Sequence, residues 1–178
     1  MQPPSEWNQE GDSAIPVEGV VHCEFLVGDD EEDTKLLREM AKEAETYLRS
    51  FPWCGKIISS FFGGGVGGVF AVFLLRIDPP PPGVGPWTWV VVGDIAPAYL
   101  PFEDCKSPAE VFKTYMWGMN NWVALARQSR TGTSAENVPP LDVPATPEWA
   151  DKIQHKLHLL TLLVKPFFSE TGDSTELN

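Results

Sequence analysis

Nineteen consecutive residues, Ile57 to Leu75, carry no charge, and five glycines fall within positions 63–68 of that run. The length matches a bilayer span. Gly63 with Gly67, and Gly64 with Gly68, even have the small-xxx-small spacing of membrane helix pairs. The glycines argue the other way, because each costs a helix interior about 1 kcal/mol relative to Ala. The remainder, VFAVFLLRI, is rich in β-branched and aromatic residues, which suit a pleated strand. A second apolar run, Trp87–Val92, follows a loop with four consecutive prolines, Pro79–Pro82. A hairpin pairs the two runs and leaves neither alone. Strands are therefore preferred and a membrane span is disfavoured. Both strands are apolar on both faces, so they need cover from two sides, or from a partner subunit on one.

Around this hairpin the patterns alternate between the two periods. Val20–Val27 places Val21, Cys23, Phe25 and Val27 on one face and His22 and Glu24 on the other, the pattern of a half-buried strand. Asp29–Asp33 puts negative charge where a helix begins, which its backbone dipole favours. Leu37, Met40, Ala41, Ala44, Tyr47, Leu48 and Phe51 follow at helical spacing until Pro52, predicting a helix over 31–50. Ile57–Phe62 reads as a short strand, and Gly63–Gly68 as a bend or bulge. Ser107, Pro108 and Glu110 supply a cap, a first-turn proline and a capping-box acid for a helix over 108–128. Thr146 and Pro147 repeat that grammar for a third helix, whose Ile153, Leu157, Leu160, Val164 and Phe167 share a face. The expectation is an α+β fold: a small, mostly antiparallel sheet of three or four strands packed against three helices. One domain spans 18–169, preceded by an irregular acidic leader over 1–17 and followed by an acidic tail over 170–178.

The formal net charge of -12 is concentrated at the ends. Residues 1–34 hold ten acids and no Lys or Arg, and 169–178 hold three more acids, while Lys35–Phe168 has twelve acids against thirteen bases. Such termini read as solubilising segments or as an arm for a basic protein. No basic stripe exists to neutralise phosphates, so nucleic acid is not an expected partner. Cys23, Cys54 and Cys105 are too few and too odd in number for a disulfide framework. The N-terminal residues have no basic stretch leading into an apolar core, so they do not read as a secretory signal. A cytoplasmic location is expected.

Gly63, Gly65 and Gly68 match GxGxxG, but a strand pattern rather than a helix start follows them, so nucleotide binding is disfavoured and no cofactor is expected. In the proposed hairpin Ile77 lies near Trp87, which carries Asp94 towards the glycines. Gly63, Gly65, Gly68, Asp94 and Tyr99 then form one corner that could take a polar ligand, the plainer reading being an Asp that caps its own turn. His155 and His158 sit three apart, directed away from the apolar stripe of their helix, a poor metal pair. Neighbouring acids disfavour the thiolate of Cys105. No GxSxG, HExxH or CxxC occurs. Trp87, Trp89 and Trp117 are candidates for a partner-binding surface, with core packing as their alternative.

The segment WTWVVVGDIAPAYLPFEDCKSPAEVFKTYMWGMNNWV, residues 87–123, together with FFGGGVGGVFAVFLLRID, resembles small bacterial proteins of uncharacterised families. Their shared pattern is a strand ending in Gly-Asp, a Pro-Ala-Tyr-Leu turn and a capped helix bearing Met and Trp. The resemblance implies a soluble bacterial protein and assigns no catalytic residue. Two functional classes follow. One is a non-enzymatic binding or accessory protein with a protein partner, an immunity-type factor among them. The other is a small-ligand binder or enzyme using the glycine, Asp94 and Tyr99 corner. Strands apolar on both faces also raise self-association.

Overall fold

The computed structural model describes residues 14–128 and 141–168. Most of the acidic leader, and the tail over 170–178, lie outside the described residues. The elements run β1 (Val21–His22), α1 (Glu31–Arg49), β2 (Lys56–Val66), β3 (Phe70–Asp78), β4 (Trp87–Gly93), β5 (Ala98–Pro101), α2 (Pro108–Gln128) and α3 (Pro147–Val164). The five strands form one antiparallel sheet in sequence order. The α+β expectation holds, with five strands in place of three or four.

The alternation along β3 and β4 decides the layering. Phe70, Val72 and Leu74, with Trp89 and Val91, pack into a core with α2 and α3. Ala71, Phe73, Leu75 and Ile77, with Val90 and Val92, pack into a second core with α1. Two-sided cover therefore comes from the chain's own helices, which removes the structural motive for self-association. The hairpin register is one residue from the sequence expectation, with Arg76 opposite Trp87 and the Ile77 N–H donating to Pro86 O at 2.8 Å. The uncharged run Ile57–Leu75 lies in β2, β3 and their turn. Among the described residues no helix is long and apolar enough to cross a membrane.

The glycine run does three structural jobs. β2 continues through Gly63–Gly65 with a register irregularity between Phe62 and Gly64. A Cβ at Gly65 would collide with the Phe70 carbonyl on β3, so that strand pair needs glycine there. Gly67 and Gly68 then make the β2–β3 turn, closed by the Val69 N–H donating to Val66 O at 3.1 Å, with Gly68 at φ +73°.

The acidic run and this turn explain each other. Asp30 caps α1 by accepting from the Asp33 N–H at 2.8 Å. The Asp33 carboxylate accepts the Asp29 N–H at 2.9 Å and, through its other oxygen, the Gly67 N–H at 2.7 Å. The Gly68 N–H donates to Met40 Sδ at 3.2 Å. One carboxylate thus fastens the start of α1 to the turn of the central hairpin. The α2 cap forms as the sequence predicts, with the Glu110 N–H donating to Ser107 Oγ at 3.2 Å. In α3, the Trp149 N–H reaches Thr146 Oγ1 at 3.4 Å.

One strand is corrected. Val20–Val27 is not a continuous strand: two residues pair with β2, and Cys23–Phe25 then coil into a 3-10 turn. Val21, Phe25 and Val27 are exposed, and Leu26 is the residue that enters the core. The turn breaks the period of two, so alternation no longer sorts the side chains by face.

The Asp33 linkage yields a stability test. Asp33→Ala should lower the urea unfolding free energy by about 1–3 kcal/mol, because it strands a part-buried Gly67 N–H as well as removing helix-start contacts. Glu39→Ala, on the exposed side of the same helix, should stay within about 0.5 kcal/mol of the parent.

Candidate functional site

The loop after β4 is anchored from three sides. The Asp94 N–H donates to Val69 O at 3.0 Å. The Tyr115 hydroxyl, from α2, donates to Ala96 O at 2.7 Å. The Tyr47 hydroxyl, from α1, reaches Pro97 O at 3.4 Å. Burial pushes both phenols above their ordinary range, Tyr115 the further, so they remain donors at neutral pH. Helices on opposite faces of the sheet thus hold one loop.

Beside this loop opens a cavity of about 650 Å³, within the size range of small-molecule sites. Tyr47, Ile95, Met119, Trp149 and Ile153 supply much of its apolar wall. Its charged groups are Asp94, Asp142 and Lys156. Lys156 Nζ lies 3.2 Å from Asp94 Oδ1 in an exposed ion pair, a contact worth at most about 1 kcal/mol.

The sequence-predicted corner is only partly assembled. Asp94 does reach the Val69 end of the hairpin and lines the cavity. Tyr99 does not join it. It pairs with Val90 across β4–β5, on the α1 side of the sheet, and its ring packs on Phe51 and Trp53 at 4.9 and 5.0 Å. The glycines face protein instead: a Cβ at Gly63 would approach Pro108 and Trp89, one at Gly64 would approach Phe168, and Gly68 lies near Leu36. Gly65 is occupied by its neighbouring strand.

The tryptophan candidates are corrected in two cases of three. Trp87 and Trp89 are buried, and the Trp89 indole N–H donates to Cys105 O at 2.8 Å. They share a sheet face with Val91, and α2 and α3 cover that face. Neither can meet a partner. Trp117 is 64% exposed on α2.

A larger apolar surface lies on α3. Leu159, Leu162 and Leu163 are exposed, Leu162 at 63%, on the side of the helix away from the buried Leu157, Leu160 and Val164, and the exposed Phe167 follows in a 3-10 turn, Lys165–Phe168, beyond the end of α3. Phe167 had been expected on the buried stripe; Phe168 takes that place, stacked on Phe112 at 5.1 Å. α3 lies antiparallel to α2, with Arg127 paired to Asp151 at 2.8 Å and Gln154 reaching Asn120 at 3.4 Å. The stripe had a sequence signal: from Leu157 to Phe168 apolar residues occur around most of the helix, more than one buried face can use. The cavity had none, because its walls come from three helices and two connections far apart in the chain.

His155 and His158 are both exposed. Among the described residues no cluster of three or more His, Cys, Asp or Glu could hold a metal. His22 accepts the Glu24 N–H at 3.2 Å, and its ring stands nearly perpendicular to that of Phe61, centroids 5.1 Å apart. Comparison with protein-family models, with curated proteins and with solved structures found no match.

The three thiols are free and all are pushed up by burial, Cys23 from 9.0 to about 12 with Glu45 adding to the effect. A neutral thiol held in the fold must ionise on unfolding above its ordinary value, so this contribution to stability is lost as pH climbs from about 9 to about 12. At pH 8.5, iodoacetamide should label Cys23 at least about a hundredfold more slowly in the native protein than in urea, since three pH units cut the thiolate fraction about a thousandfold. Equal native and unfolded rates, read by peptide mass spectrometry, would contradict the burial of this thiol.

Proposed function

We propose that this chain is a non-enzymatic binding protein that docks another protein on the outer face of α3, with Trp117 of α2 as a further contact. The exposed stripe Leu159, Leu162, Leu163 and Phe167 carries the reading. Apolar side chains gathered on one helical face are costly to leave in water, and a helix or groove of a partner relieves that cost. An immunity-type or accessory role in the cytoplasm of a bacterium fits a small protein whose polar groups form no catalytic set among the described residues. Its likeness to the uncharacterised bacterial proteins belongs to the same proposal.

The test compares the full chain with Leu162→Asp. That side chain is exposed, so the variant should keep the parent melting temperature within about 2 °C. Purified gently from the source cells, the parent should carry a stoichiometric protein partner and the variant should lose it. Sedimentation of the isolated chain separates a foreign partner from a second copy. A partner retained equally by both chains, or none on either, would contradict the proposal.

A further inference from the structure

We infer that the cavity between α1, α3 and the Asp94–Pro97 loop is a binding site for an organic cation, an amine carried on an apolar or aromatic body. This site is separate from the α3 stripe and does not depend on the docking reading.

Three features select that chemistry. The walls are mostly apolar, and a volume of about 650 Å³ suits a molecule of one or two fused rings with a short side chain. Tyr47, Phe51 and Trp149 all line the space, and aromatic faces attract cations through their quadrupole. The Trp149 ring already displays this preference, with Lys152 Nζ 4.6 Å from its centroid. The third feature is the charge balance. Two carboxylates, Asp94 and Asp142, face one ammonium, Lys156. Lys156 is committed to Asp94 at 3.2 Å, and among the described residues the Asp142 carboxylate of the lining makes no ion pair. An anionic ligand would have to draw Lys156 away from Asp94 and would still meet Asp142. A cationic ligand meets Asp142 with the ion pair intact.

One wall of the site, the Asp94–Pro97 loop, is tied down at three points. Tyr115 and Tyr47 hold the carbonyls of Ala96 and Pro97, and the Asp94 backbone is tied to Val69. A preformed wall limits the ordering cost of binding. The hydroxyls that hold the loop are spent on backbone, so selectivity rests on the aromatic rings and on Asp142.

Calorimetry on the full chain tests this with three probes of one shape: naphthylethylamine, the neutral naphthylethanol and the anionic naphthylacetate. The amine should bind, the alcohol about fivefold or more weakly, and the acetate more weakly still. Asp142→Asn, at an exposed position that should not disturb folding, should weaken the amine about fivefold and leave the alcohol unchanged. Lys156→Met should not weaken the amine. The inference is overturned if the acetate binds best, if the three probes bind alike, if Asp142→Asn changes nothing, or if none binds at millimolar concentration.

Discussion

Strands β3 and β4 carry apolar side chains on both faces, and each of those side chains has to leave water on its own side. Trp89 and Phe73, both fully buried, stand on opposite faces of the sheet, and neither can be covered by the element that covers the other. The rest of the chain answers that constraint. α1 crosses one face, and α2 with α3 crosses the other. The capped starts of α1 and α2 set where each helix begins, and the glycine turn of the central hairpin packs against the first turns of α1. Asp33 makes this a single construction, since it terminates a helix and a turn with one carboxylate.

The two candidate surfaces follow from the same arrangement. A helix over a sheet needs only one apolar stripe, and α3 has Leu157, Leu160 and Val164 for that purpose. Its second apolar side is in excess of what the fold needs. The cavity arises where the layers part at the end of β4: α1 comes from one face, α3 from the other, and the Asp94–Pro97 loop bridges them under the two tyrosine hydroxyls. One surface is built for a large apolar partner and the other for a small molecule. They draw on opposite ends of α3, Leu159–Leu163 for the stripe, with Phe167 just beyond the helix, and Trp149–Leu157 for the cavity wall.

Much of the fold could be read from the chain, for local reasons. The helices over 108–128 and from Pro147 announce themselves by cap and proline, chemistry that acts within four residues, and their starts agree with the structure. The central hairpin was legible because two apolar runs had only each other to pair with. β5 was not, because Ala98–Pro101 is four residues long and pairs only as the edge of β4. Trp87 and Trp89 looked like candidates for a surface because a strand's periodicity tells which residues share a face and not which face is covered. The glycine corner failed for a related reason. Sequence could bring Asp94 near the glycines, but whether a glycine opens space for a ligand or for Pro108, Phe168 and a neighbouring strand is decided by tertiary packing. The α3 stripe was visible as an excess of leucine, and of the cavity only Asp94 was.

Native-state hydrogen exchange measures the two-sided burial of β3 and β4 most directly. The account predicts that amides over 70–77 and 88–92 exchange slowest in the molecule, through global unfolding alone, and later than those of any helix. Exchange in these strands as fast as in α3, or protection on β4 that disappears while α1 stays protected, would contradict a sheet buried between two helical layers.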